Sequence, residues 1–363
     1  MKKALILTGF DPSTHTGGIE VFTSTLVRLF DSVQIPSDLV CASDFENTFD
    51  FCHEFIGRVY SAGRSLLSLD AGDYGFIVSN GYYGGGYFPK AIKTFTVFHS
   101  THAGYADAIR GCIPTGTYLE IRHIIGDLFE RSSASGAKII AVSEKVKAEL
   151  QEYYGMKEID VVPNPVDTEV FSAISGKEEA RKKYGIPFTR KVGLLVGRWE
   201  ISKGSDIAER IMRDMDDLFW VIVTSSGGDS FPPEGKNILT FSMLDRLKMR
   251  EIYNLSDFML FPSRYEGFGL AAAEAMASGV PVISRPVGFL EGISLRRPFS
   301  TISVTDDPLD EDSTIVAFKD SIRKLFADGN LYKEISEMGR DVILTNYSVP
   351  VWEGRMKKVL CLN

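Results

Sequence analysis

The sequence predicts an α/β protein of two doubly wound parallel sheets, and three observations carry that prediction. Short apolar runs at 4–8, 39–42, 76–79, 95–98, 138–142 and 159–162 alternate with segments of helical apolar spacing, such as 20–30 and 144–153. Repeated strand–helix units imply a parallel sheet. The run V-P-N-P-V at 162–166 then stops the alternation, because two prolines cannot sit in a central strand. The same pattern restarts afterwards, with strands expected at 192–196, 219–224, 238–241, 257–261 and 280–284.

The remaining elements follow in order. Helices are expected at 206–213 and 245–255, and again within the alanine-rich run that follows residue 269. Residues 168–190 are polar, helical and then irregular, and read as a linker. Residues 286–313 are the least regular stretch, rich in proline and acid. Helices at 314–326 and 330–346 precede a short last helix at 349–360 that carries Trp352. With 363 residues the chain is long for one domain and comfortable for two. The expected domains are 1–168 and 187–348, with 349–363 returning to the first.

Composition excludes several classes. Net charge is −8, and residues 1–167 carry 14 Lys and Arg against 20 Asp and Glu. A nucleic-acid protein shows a basic patch instead, so no nucleic-acid partner is expected. Cys41, Cys52, Cys112 and Cys361 have no C-x-x-C spacing, which fits neither a zinc site nor a disulfide framework. They read as free thiols in a reducing cytosol. No apolar run reaches the ~18–20 residues of a membrane span. The opening M-K-K-A-L-I-L-T-G resembles a secretion signal but breaks at once at 9–12, so it reads as a first strand.

The most informative stretch is P-S-R-Y-E-G-F-G at 262–269, followed by an alanine-rich helix containing Glu274. Strand, tight turn and helix in an open α/β sheet place the turn at a strand's carboxyl end, where ligands bind. Gly267 and Gly269 let a ligand approach the backbone. The N–H groups of Phe268, Gly269 and Leu270 open the helix as an anion site. Glu266 precedes that site, and Glu274 further along the helix offers two oxygens to a diol. A carboxylate, a phosphate cradle and a diol-binding acid together suggest a sugar nucleotide.

Four further patterns bear on the ligand. Arg198 and Lys203 follow the strand at 192–196, where a planar fork and a point charge can clamp a diphosphate. Alone they would read as solvated surface charges. Gly17 and Gly18 open a helix after the first strand, but no G-x-G-x-x-G is present, which disfavours a dinucleotide oxidoreductase. His99 lies just beyond another strand, and the five histidines include no metal-binding spacing, so no metal site is expected. Asp310-Glu-Asp312 matches a D-x-D pattern, but it sits in a proline-broken acidic loop and reads as a solvated charge run.

With those residues placed, the chain resembles the retaining glycosyltransferases of family 4 (group 1), whose architecture of two Rossmann-like domains facing across a cleft is called GT-B. The resemblance covers nearly the whole chain. It rests on Gly17-Gly18, His99, V-P-N-P-V-D at 162–167, G-R-x-x-x-x-K-G at 197–204, and E-x7-E at Glu266 and Glu274. The resemblance implies that Arg198 and Lys203 bind the donor diphosphate, with Gly17 and Gly18 close to the phosphate. It implies that Glu274 holds the ribose hydroxyls, and that Met243 and Leu244 lie against the base. Glu266, Gly267, Phe268, Gly269 and Leu270 would meet the transferred hexose or its phosphate, and His99 would contact the hexose from the first domain. Catalytic duty would fall to Glu266, His99, Arg198 and Lys203. The last helix would cross back onto the first domain.

The resemblance further implies transfer of a hexose from a UDP- or GDP-sugar to a hydroxyl of a glycan or lipid-linked acceptor, without metal or cofactor. Polysaccharide or lipopolysaccharide biosynthesis in the cytoplasm is the expected setting. Alternatives are a GT-B-shaped epimerase, a phosphorylase with lysine-bound pyridoxal phosphate, and a non-catalytic nucleotide-sugar sensor. The chain departs from the family's pattern at P-V-G-F-L-E (286–291), at the acidic stretch near 305–313, and at S-S-G-G-D (225–229). Segment 110–131, with Arg110, Arg122, His123 and Arg131 among apolar residues, reads either as an amphipathic core helix or as a peripheral contact with the inner membrane face.

Overall fold

The computed structural model describes residues 2–15, 17–48, 53–88, 90–225, 231–296, 301–304 and 310–362. Cys52, most of the 225–229 turn and residues 305–309 therefore lie outside the described residues. The chain divides into two compact units, Met1–Pro165 with Trp352–Asn363, and Val166–Val351.

The first unit is built on a six-stranded sheet of order β2-β1-β3-β4-β5-β6. Its strands are β1 (Lys3–Thr8), β2 (Ser37–Cys41), β3 (Tyr74–Asn80), β4 (Thr94–Phe98), β5 (Lys138–Ala141) and β6 (Ile159–Val161). All neighbours are parallel, with β1 between β2 and β3. Ala4, Leu5, Ile6 and Leu7 are all buried, so the strand reads as a continuous apolar run rather than an alternating one. The helix Gly18–Ser32 follows β1 and buries Phe22, Leu26, Leu29 and Phe30 at helical spacing. Trp352, on the last helix Val349–Leu360, packs edge-on against Phe22 at a centroid distance of 5.5 Å.

The second unit carries β7 (Val192–Val196), β8 (Phe219–Thr224), β9 (Ile238–Ser242), β10 (Phe258–Phe261), β11 (Val282–Ser284) and β12 (Ile302–Ser303). Their order is β12-β11-β10-β7-β8-β9, again parallel throughout. Trp220, Phe258, Phe318 and Ile322 anchor its core. The strand order reverses between β7 and β10, and in the first unit between β1 and β3. Such switch points open a crevice at the carboxyl ends of the strands.

One sequence expectation is revised and two others gain detail. The stretch 286–313 contains a helix, Phe289–Arg296, and the two-residue edge strand β12. Residues 168–190 carry the helix Lys177–Lys183, which is part of the second unit. Its Lys177 and Arg181 pair with Asp257 at 2.8 and 2.7 Å. In 110–131 the helix Thr115–Leu119 runs into a π-helix, Glu120–Glu130. There Arg122 and His123 are both bound to Asp127, at 2.5 and 2.7 Å. Leu119, Ile124 and Leu128 are exposed on the same segment.

Candidate functional site

The second unit's switch point gathers most of the residues singled out from sequence. After β7, Gly197 at φ +146° turns the chain into Arg198. A 3-10 turn, Ile201–Lys203, and Gly204 at φ +71° then lead into the helix Ser205–Asp214. After the adjacent β10, residues 262–269 lead into the helix Leu270–Ala277, with Gly269 at φ +97° as its N-cap. A side chain at position 269 would be strained in that left-handed conformation. The two turns touch closely: a Cβ at Gly204 would stand 2.4 Å from the Pro262 carbonyl oxygen. A shallow recess between them is lined by Gly197, Arg198, Lys203, Ser205 and Ser263, among others.

Charge is paired between the two turns. Lys203 Nζ donates to Glu266 Oε1 at 2.8 Å, and Ser263 Oγ donates to the same oxygen at 2.9 Å. Arg198 reaches Glu200 Oε1 at 3.0 Å and remains 63% exposed. The leading N–H groups of the helix Leu270–Ala277 lack in-helix partners, as at any helix start. The departure at 286–291 is wired into this turn. Gly288 at φ +56° lets Phe289 N donate to Phe268 O at 3.0 Å, and the two rings stack at 4.8 Å.

Glu274 lies further along the same helix. Tyr253, fully buried, donates its hydroxyl to Glu274 Oε2 at 2.9 Å. Burial pushes the Glu274 carboxyl up to about 7; the Tyr253 hydroxyl and the nearby Arg246 pull it back only in part. Arg246 is itself bound to Asp167 at 3.1 Å. Met243 stands at φ +28°, an uncommon conformation for a side-chain-bearing residue, and is exposed beyond β9 with Leu244 beside it.

The first unit holds Gly17 and Gly18 after β1, at its own switch point, and His99 after β4, one strand further along the sheet. Gly17 is the extended N-cap of the helix Gly18–Ser32, and nothing stands within 4 Å of where a Cβ at Gly18 would be. His99 Nε2 lies 2.9 Å from Asn80 Oδ1. The Asn80 amide nitrogen already donates to Leu7 O at 3.2 Å and Thr23 Oγ1 at 3.1 Å. Its oxygen must therefore accept, which places the His99 proton on Nε2 and leaves Nδ1 a bare acceptor. Burial pushes the ring down to about 4, with Asn164 only partly offsetting it. His99 is thus neutral at pH 7, and Phe22 holds it edge-on at 4.9 Å.

Sequence reasoning missed Asn80, Tyr253 and Arg264. It also missed a cluster three residues beyond His99. There His102 N donates to Glu130 Oε2 at 2.8 Å, and Tyr154 donates to the same oxygen. Glu130 holds the His102 ring above its ordinary pKa despite burial. The acidic run at 310–312 is not merely solvated, contrary to expectation. Asp310 caps the helix Glu311–Ala327, Glu311 binds Arg264, and Asp312 binds Arg210 at 2.5 Å. Among the described residues no group of His, Cys, Asp and Glu could hold a metal ion.

Two parallel six-stranded sheets with their site residues at the switch points define a GT-B protein. Residues 16–170 match the family described as Glycosyltransferase Family 4, and residues 191–328 match Glycosyl transferases group 1. The chain belongs to this glycosyltransferase family. It is 26% identical over 292 residues to a D-inositol 3-phosphate glycosyltransferase of Thermomonospora curvata, covering 72% of this chain and 67% of that protein. It is 29% identical over 174 residues to the Segniliparus rotundus protein of the same name, covering 43% of this chain and 38% of the relative. The first such curated relatives are matched over about two fifths to half of their length.

Among solved structures, a sucrose-phosphate synthase from Thermosynechococcus elongatus aligns with TM-score 0.78 at 17% identity, covering 99% of this chain and 98% of that one. WaaG, a glycosyltransferase involved in lipopolysaccharide biosynthesis, aligns with TM-score 0.71 at 16% identity, covering 98% of each chain. Anabaena HepE in complex with UDP and glucose aligns with TM-score 0.70 at 14% identity, covering 99% of this chain and 100% of that one. Among the described residues no helix is long and apolar enough to cross a membrane.

Proposed function

We propose that the protein is a retaining hexosyltransferase that uses a nucleoside-diphosphate sugar, UDP- or GDP-linked, and a hydroxyl acceptor on a glycan or lipid-linked glycan. The observation that carries this reading is the pairing of Lys203 with Glu266 at 2.8 Å from adjacent strand ends at a switch point. That arrangement supplies a cation for a diphosphate and a carboxylate for a sugar hydroxyl side by side at one sheet edge. The HepE structure, determined with UDP and glucose, supports a donor of this class.

In this reading the bond from C1 of the hexose to the β-phosphate breaks, and negative charge grows on that phosphate. Lys203 and the N-terminus of the helix Leu270–Ala277 meet that charge with a held cation and fixed dipoles, and the more exposed Arg198 adds a second cation, which lowers the barrier. Glu274 holds the ribose hydroxyls, and Met243 and Leu244 lie against the base. Glu266 holds a hexose hydroxyl, and the bare Nδ1 of neutral His99 accepts from another. The acceptor oxygen bonds to C1 on the face the phosphate leaves, and its proton passes to the departing phosphate oxygen. The sugar passes through an oxocarbenium-like state, as in glycoside chemistry generally. Because protein cations supply the charge, transfer is expected to persist in a chelator.

A thermal-shift screen of UDP-, GDP-, ADP- and dTDP-sugars tests the donor. A ligand at ~100 times its dissociation constant adds roughly 2.7 kcal/mol. One nucleotide series is expected to raise the unfolding temperature, and that donor to be consumed with a glycan acceptor. No stabilisation by any of the four at millimolar concentration would refute the reading.

A further inference from the structure

Arg264 sits in the middle of P-S-R-Y-E-G-F-G, yet it does not face a ligand. Its side chain is 6% exposed and spends its donors on the protein. It makes a two-bond fork with Asp206, at 2.7 Å each, and a bond from Nη1 to the Ile201 carbonyl at 2.8 Å. A further bond runs to Glu311. Its backbone N–H donates to the Ser202 carbonyl at 2.8 Å. One guanidinium therefore joins four pieces of the second unit. These are the 3-10 turn that ends in Lys203, the start of the helix Ser205–Asp214, the turn that carries Glu266, and the start of the helix Glu311–Ala327. Burial alone would lower the Arg264 pKa, but the two carboxylates hold it above its ordinary value.

The bonds do different jobs. Those to Ile201 O and Ser202 O fix the backbone immediately before Lys203, while Ser263 and Lys203 fix the Glu266 carboxylate on the other side. Asp206 and Glu311 hold the guanidinium in the one orientation that reaches Ile201. A lysine could supply the charge but not the planar fork. Asp206 lies in the first turn of its helix, where a carboxylate is favoured by the dipole.

We propose that Arg264, anchored by Asp206 and Glu311, is a positioning residue that sets Lys203 against Glu266 at the spacing the donor's diphosphate requires. The acidic start of the helix Glu311–Ala327, which looked like a surface charge run in the sequence, is the far end of that brace. This inference rests on the donor reading above.

The test compares a nucleoside diphosphate with its monophosphate, UDP with UMP or GDP with GMP, by titration calorimetry. The variants are Arg264→Lys, Glu311→Gln, Lys203→Ala and the double variant Lys203→Ala/Glu311→Gln, with unfolding temperature measured for each. Glu311 is 39% exposed, so Glu311→Gln is expected to fold even if Arg264→Lys does not. Arg264→Lys and Glu311→Gln should each weaken the diphosphate at least fivefold while changing the monophosphate less than twofold. The double variant should be no worse than Lys203→Ala alone, because the brace acts through Lys203. Equal weakening of both nucleotides would make Arg264 merely structural and overturn the inference. An unchanged ratio in the brace variants, with a reduced ratio in Lys203→Ala, would overturn it and leave the donor reading standing. An unchanged ratio in Lys203→Ala would overturn both.

Discussion

Lys203 Nζ and Glu266 Oε1, from turns after adjacent strands, stand 2.8 Å apart with side chains 25% and 13% exposed. The protein thus holds its clamp cation beside a carboxylate that also accepts from Ser263. Lys203→Ala removes that cation and leaves Glu266 with one fewer donor. Arg198 is largely in solvent, where water already competes for it. Diphosphate affinity should therefore fall by about 1.5–3 kcal/mol in Lys203→Ala. In Arg198→Ala it should fall by less, about 1 kcal/mol. Titration calorimetry measures both, and unchanged affinity in the two variants would remove them from the diphosphate site.

Glu266→Gln keeps the size of the side chain and removes its charge. Because Glu266 is assigned to the reacting sugar, kcat should drop by at least tenfold with donor affinity changed little. Steady-state kinetics with matched donor and acceptor separate the two. A pure loss of donor affinity with kcat intact would place Glu266 elsewhere.

Glu274→Gln should have opposite effects on stability and on ligand binding. The folded carboxyl has a pKa of about 7 against an ordinary 4.5, so the folded state holds its proton more tightly than the unfolded state. Stability from this group is intact below pH 4.5 and is lost as pH rises through 7. The amide does not titrate. Without ligand, Glu274→Gln should match the wild type near pH 4.5 and exceed it by roughly 1–3 kcal/mol at pH 8. Donor binding should weaken at both. Denaturation at the two pH values checks this, and equal stability at pH 8 would deny the carboxylate its buried site.

His99 runs the other way. Its folded pKa of about 4 lies below the ordinary 6.5, so the unfolded chain takes up a proton that the folded chain refuses. Stability from this group is present above pH 6.5 and is lost as pH falls through 4. His99→Gln should therefore flatten the stability profile between those values. It should also lower kcat at pH 7.5, where the wild-type ring is already neutral. An NMR titration placing the ring near 6.5 would contradict the assignment.

The sheets were legible because parallel strands are buried on both faces, and 4–7, 192–196 and 258–261 therefore carry no charged or polar side chain. β12 was not legible, since two residues, Ile302 and Ser303, carry no periodicity. Glu266, Glu274, Lys203 and Arg198 stood out because their spacing from strand ends is local in sequence. Arg264 did not, because its partners lie 58 and 47 residues away and ion pairing between distant elements leaves no local pattern. The same holds for the acidic run at 310–312, whose role depends on Arg264 and Arg210. Asn80 ends β3 as an ordinary polar residue would; only its bond to His99, across two strands, marks it.

The edge-on packing of Trp352 against Phe22 has a bearing on synthesis. Phe22 also braces His99, so the first unit completes this part of its core with residues made after the whole of 166–351. The second unit is continuous and can close as soon as it leaves the ribosome, whereas the first must wait with Phe22 uncovered. Chaperone dependence, nascent-chain proteolysis and sensitivity to changes in the Val349–Leu360 helix should therefore fall on the half that emerges first.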